Sequence, residues 1–251
     1  MLPLVNVDLT FSLAQNSFAL RSNSTAHQYR FVIDKFLLNL SRVQVSPTVA
    51  GKIETQLQKG PSLYPLRFMK CRIFTIPPNQ KHYETELFGS GASVIPNVLI
   101  LGLTLTNATS GTYNLSPFRF SHFDISSLVI NVDGQSRPSP NGYTNLIWSG
   151  LNENWMRAYF DLFDATIKVN EGNSINMPEY KTSFCLFKIN LGYMHTEAHD
   201  HVEPKKICNA RLTVTFSPES TNESLSLVVF QEINQILAIN SQREIIRDYV
   251  L

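Results

Sequence analysis

The stretch RLTVTF, residues 211–216, sets Leu212, Val214 and Phe216 against Arg211, Thr213 and Thr215. Successive side chains on a strand point to opposite faces, so this alternation describes a β-strand with one buried and one wet side. The same pattern places Met69, Cys71 and Ile73 against Lys70 and Arg72. It also places Val5, Val7, Leu9, Phe11 and Leu13 against Asn6, Asp8, Thr10 and Ser12. Working outward, further strands are predicted over Tyr29–Ile33, Phe36–Val45, Val98–Thr106, Leu128–Val132, Phe184–Leu191 and Leu225–Ile233. Asp133-Gly134, Asn141-Gly142 and the Pro77-Pro78-Asn79 corner punctuate them with turn chemistry. About eight or nine short strands so divided read as an antiparallel β-sandwich or jelly roll.

One segment has a different period. Leu151, Trp155, Ala158 and Leu162, extended by Phe163 and Ile167, predict an amphipathic helix over about residues 150–166, lying on a sheet with Trp155 and Tyr159 as buried anchors. Asp161 and Asp164 then belong to its solvated face. The connections 77–97 and 133–150 are long for a compact domain, which predicts that they carry function or are ordered by partners.

The chain has 251 residues, of which 43% are hydrophobic, enough for one all-β domain spanning 1–251 with a sizeable core. Its formal net charge is +1 and its cations are scattered; the adjacent pair Lys205 and Lys206 reads as a solvated loop, so no nucleic-acid groove is predicted. Cys71, Cys185 and Cys208 are too widely spaced for a disulfide framework or a zinc site, and reduced thiols are expected. The opening MLPLVNVDLTFSL lacks the basic start and apolar core of a signal peptide, so secretion is not expected. The Asn-x-Ser/Thr triplets at Asn23, Asn39, Asn107, Asn114 and Asn222 follow from an Asn- and Ser-rich composition. No apolar run approaches the roughly 20 residues that span a bilayer.

The segment that most invites a chemical reading is His195, Glu197, His199, Asp200, His201 and Glu203. Clustered imidazoles and carboxylates can hold a transition metal, and His199-x-His201 after Gly192 is similar to part of the first metal motif of cupins. The His201-to-Glu203 interval is short for that motif, and no histidine follows His201 to complete the ligand set. With Pro204 and Lys205 beside it, the segment reads as a polar loop, and no metal or cofactor site is predicted. Gly89-Ser90-Gly91 lacks the Lys-Ser/Thr of a phosphate-binding loop and reads as a corner. No catalytic residues are predicted and the chain is expected not to be an enzyme.

The order of segments carries a family resemblance. YPLRFMKCRIFTIPPN from Tyr64, LFGSG from Leu87 and the apolar strand ending at Thr106 come first. SGTYNLSPFRFSHFDI from Ser110, LVINVDGQSRP from Leu128, the helix with Tyr159 and Phe163, FCLFKINL from Phe184, RLTVTF and REIIRDY from Arg243 follow. This set resembles the C-terminal half of the major capsid protein of Polintons (Mavericks) and adintoviruses, with residues 1–63 matching more loosely. The resemblance implies the second of two tandem jelly rolls, in a capsid protein that builds trimeric, hexon-like capsomers of an icosahedral shell. The partners it implies are further copies of the chain, other capsid subunits and a separate chain supplying the first roll; the location it implies is the virion. Two rival classes are a cupin-like metal enzyme centred on His195–Glu203 and a lectin-like or TNF-like trimeric recognition module.

Overall fold

The computed structural model describes residues 8–24, 28–39, 41, 43–88, 95–138, 140–163, 175–191, 208–218 and 220–247. Nine strands fall in two antiparallel sheets. They are β1 (Ser62–Ile76), β2 (His82–Phe88), β3 (Val98–Leu105), β4 (Ile125–Val132), β5 (Gln135–Arg137), β6 (Leu186–Asn190), β7 (Ala210–Phe216), β8 (Leu225–Ile239) and β9 (Ile245–Arg247). One sheet runs β1-β8-β3-β6 with β9 added to β8, and the other runs β2-β7-β4-β5.

The order has a simple rule. β1 pairs with β8, β2 with β7, β3 with β6 and β4 with β5, so partner numbers always sum to nine. That is the pairing of one long antiparallel ribbon, folded so that β3–β8 and β4–β7 contacts close it into two sheets. The eight-stranded result is a jelly roll. It confirms the all-β sandwich expected from the alternating segments.

The core lies between the sheets. Leu99, Leu101 and Leu103 of β3, with Leu225, Leu227 and Val229 of β8, face Leu212, Val214 and Phe216 of β7 and Leu128 and Ile130 of β4. Each set is spaced by two, as a pleated strand requires. A register shift between Ile125 and Ser127 lets Ile125 join the core although it is three residues from Leu128. The β4–β5 turn is as expected: Asp133 (φ 47°) and Gly134 (φ 86°) both adopt the left-handed conformation of a tight hairpin turn, and Gly134 N–H donates to Asn131 Oδ1 at 2.9 Å.

Several expectations are corrected. Among the described residues, 8–13, 29–33 and 36–45 contain no strand, although their alternation is clear. Alternation makes a segment fit to pair, but a strand exists only where a neighbour supplies the ladder. Segment 77–97 is not one long loop, since β2 occupies His82–Phe88, with Tyr83, Thr85 and Leu87 turned inward of His82, Glu84 and Glu86. Nor is 133–150 one, because β5 follows the turn at once. The long connections that are wholly or largely described are 106–124 and 138–185.

Helix α4, described over Met156–Phe163, starts later than the expected 150; residues 164–167, with Asp164 and Ile167, lie outside the described residues. Asn154 arrests it upstream: its Oδ1 accepts from Ile147 N–H at 2.7 Å and its amide donates to the Asn145 carbonyl, which holds the preceding residues as a turn. Among the described residues the longest helix is another one, α2 (Pro47–Lys59). It begins where Ser46 Oγ accepts from Val49 N–H at 3.5 Å, has Pro47 at its first position and Lys59 in its last turn, and stops at Gly60. Short helices α1 (Asn16–Ala19), α3 (Thr106–Thr109) and α5 (Met177–Thr182) complete the described set.

Candidate functional site

The register places the end of β1, the end of β3, the start of β6 and the start of β8 side by side: Ile76 and Leu105 both oppose Leu225, and Gly102 opposes Leu186. The connections 106–124 and 138–185 therefore leave the sandwich at the same end. A parallel bridge between Phe120 and Phe184 ties them together, with Phe120 N–H donating to the Ser183 carbonyl at 2.8 Å and Cys185 N–H to the Phe120 carbonyl at 3.0 Å.

A stack of aromatic rings consolidates this end. His122 lies on Trp148 with ring centroids 4.5 Å apart, Trp148 is parallel to Trp155 at 6.3 Å, and Trp155 is stacked on Tyr180 at 5.8 Å. Each polar tip has a partner, as buried aromatics require. Trp148 Nε1 donates to the Ile125 carbonyl at 2.7 Å, Trp155 Nε1 to Glu153 Oε2 at 2.9 Å and Tyr180 OH to the Leu186 carbonyl at 2.9 Å. Lys181 Nζ holds the other oxygen of Glu153 at 2.7 Å. That bond, and the one from Trp155, keep the Glu153 carboxyl below its ordinary range. Trp155 and Tyr159 are buried, as the helical stripe implied.

Asp161 differs from its expected place on an idle solvated face. Tyr143 OH lies 2.9 Å from Asp161 Oδ2 and 3.0 Å from the Lys188 carbonyl, and Arg157 Nε is 3.6 Å from the same carboxylate. Burial, and then the Asp161 charge, push the Tyr143 phenol far up, so it acts as a donor and not as an acid. Burial likewise raises the Tyr180 phenol and the Cys185 thiol. These groups brace the excursion against β6.

Among the exposed residues of the excursions are several large apolar side chains. Phe118, Ile147, Leu151, Met156, Phe160 and Phe184 are exposed large hydrophobics, and Leu151 is fully so. Met156 and Phe160 are four apart, on the face of α4 opposite the buried Ala158 and Tyr159. The periodic stripe marks the buried side of this helix and says nothing of the exposed side. Its signal was present in the surplus apolar residues, Met156 and Phe160, that a single stripe does not use.

Elsewhere, an open polar groove is lined by Glu84, Glu86, Asn131, Asp133, Asn209 and Arg211, with Arg211 Nη1 paired to Glu84 at 3.3 Å. Among the described residues no group of three His, Cys, Asp or Glu side chains could hold a metal. His195–Glu203, Gly89–Gly91 and Lys205–Lys206 lie outside the described residues. Cys71 is exposed on β1, while Cys185 and Cys208 are buried; none of the three is in a disulfide.

No family profile matches the sequence. An uncharacterised protein of Caenorhabditis elegans is 21% identical over 252 residues, covering 98% of this chain and 58% of the relative, so the chain spans well under two thirds of that protein's length. Among solved structures, the mavirus major capsid protein is similar at a TM-score of 0.41 and 11% identity, over 76% of this chain and 42% of that one. The Sputnik virophage structure gives 0.37 and 16% identity over 76% and 39%, and the capsid of the virus PBCV-1 gives 0.39 and 10% over 76% and 52%. The similarity in each case is one of fold.

Proposed function

We propose that the chain is a structural, non-enzymatic subunit of a viral or Polinton-type capsid, which packs against copies of itself. The observation that carries this reading is the set of large apolar side chains that the two excursions leave exposed, Phe118, Ile147, Leu151, Met156, Phe160 and Phe184. Contiguous exposed apolar patches on soluble domains mark contact surfaces, because leaving them in water costs free energy that association recovers. The aromatic stack of His122, Trp148, Trp155 and Tyr180 consolidates the excursions that carry them, which lowers the ordering entropy that opposes docking. The ordered resemblance to Polinton and adintovirus capsid proteins supplies the kind of assembly: a trimeric capsomer in an icosahedral shell.

On this reading residues 1–251 form one jelly roll corresponding to the second roll of such a protein, a separate chain supplies the first, and the assembled location is the virion. No cofactor, membrane or specific nucleic-acid partner takes part. Sedimentation velocity of the chain alone and with a first-roll partner, with electron microscopy of the product, tests it. Trimers or larger regular assemblies are expected. A soluble monomer that ignores the partner at high micromolar concentration would overturn it.

A further inference from the structure

Two unpaired features of this chain fit one another. The first is the N-terminal segment Asp8–Leu13, in which Leu9, Phe11 and Leu13 alternate with polar residues and all six are exposed. Among the described residues it joins no sheet, and its ring contact is Phe11 against Phe36 at 4.6 Å, another exposed side chain. The second feature is β1. It is 15 residues long, it stands at the edge of its sheet, and all its described pairing is with β8. Leu63, Leu66, Phe68, Met69 and Ile73 are exposed along it. A long apolar edge presents a row of backbone donors and acceptors that another strand can satisfy.

We propose that Asp8–Leu13 adds as a strand to the β1 edge of a second copy of this chain. The inference rests on the self-association proposed above and names its contact. Charge selects the arm over the edge itself as occupant: β1 has no acidic residue and, beside Arg67, which pairs with Glu232 at 3.4 Å, it carries Lys70 and Arg72, so two β1 edges would bring cations together. Val5–Leu13 carries Asp8 and no cation, and therefore meets no such opposition. The alternation of the arm puts Leu9, Phe11 and Leu13 on one face of the added strand, where the Met69 and Ile73 face of β1 can meet them, and Asp8, Thr10 and Ser12 on the other, where Lys70 and Arg72 lie. Arm and edge are different surfaces of one chain, so the contact is head-to-tail and closes as a ring or a reciprocal exchange.

The test uses the full chain in two differently tagged copies. One carries Thr10→Cys with Cys71→Ser; the other keeps its native Cys71, the exposed thiol on β1. After co-expression and treatment with a short bismaleimide, a product bearing both tags is expected. It should disappear when the first copy carries Cys71→Ser alone, and when Phe11→Asp and Leu13→Asp are added to it. Absence of the mixed product from a sample that sedimentation shows to be oligomeric would overturn the arm-to-edge contact and leave self-association standing. A sample that stays monomeric would overturn both.

Discussion

Phe120 crosses β3 directly over Gly102: a Cβ on Gly102 would come within 2.6 Å of Phe120 Cδ1 and 2.7 Å of Leu186 Cδ2. The missing side chain is what lets the two long excursions meet on the sheet, since Phe120 bridges to Phe184 at that point. Gly102→Ala is therefore expected to destabilise the fold by about 1–3 kcal/mol, the range for overpacking a filled site. Urea unfolding followed by tryptophan fluorescence would show it; an unchanged midpoint would mean that Phe120 moves aside freely.

Tyr143 links α4 to β6 through Asp161 and the Lys188 carbonyl. Tyr143→Phe keeps the ring and removes the donor, so a loss of about 1 kcal/mol is expected. Asp161→Asn leaves the phenol its backbone acceptor at Lys188 and should cost less. The reverse ranking in denaturant titration would place the weight on the Arg157–Asp161 ion pair.

His122 Nδ1 accepts from Asp124 N–H at 3.0 Å, which needs that nitrogen unprotonated. Burial first, and then Lys181, lower its pKa, while Asp124 opposes them. The unfolded chain, with an imidazole near its ordinary value of about 6.5, therefore binds a proton more readily than the folded one. The contribution of His122 is fully present above that value and is lost as pH falls through it toward the lower folded value. His122→Gln should accordingly show a smaller drop in melting temperature between about pH 7.5 and pH 5.5 than the native chain. Equal drops would remove His122 as the cause.

Thiol labelling of the native chain should modify Cys71 quickly and leave Cys185 and Cys208 protected, with all three reacting in denaturant. The thiolate is the reactive species, and desolvation raises the Cys71 pKa, so its rate should climb with pH above the ordinary thiol value. Fast modification of two sites at neutral pH would show local opening around β6 or β7.

His199→Ala with His201→Ala is expected to leave stability within about 0.5 kcal/mol, the range for surface positions with no special role. Loss of bound zinc or iron from the purified double variant would revive the metal-enzyme alternative.

The short-range patterns proved to be dependable wherever the chain also found a neighbour. Leu212, Val214 and Phe216 declared β7, and Asp133-Gly134 declared its turn, because burial on one face and left-handed backbone are demands that a few adjacent residues meet alone. The boundary signals of α2 were equally local: Ser46, Pro47 and Gly60 frame it. The alternating pattern that runs up to Val45 overlaps these signals and obscures them. Likewise the buried stripe of α4 was legible, but not its termination by Asn154, which depends on Ile147 and Asn145 across a turn.

By itself, then, the sequence determined the all-β class, most of the core strands and the buried anchors Trp155 and Tyr159, since each follows from the solvent preference of residues close in the chain. Tertiary structure alone decided which alternating segments became strands. Val98–Leu105 lies between β8 and β6, whereas Asp8–Leu13, with an equally regular pattern, meets no ladder. It alone also decided that excursions leaving β3 and β5 share one end and that Phe118, Met156 and Phe160 among their apolar residues stay exposed. The reason is that a ladder hydrogen bond and an apolar contact each need two partners, and here the partners are far apart in the chain: Ile76 meets Leu225, and Gly102 lies under Phe120.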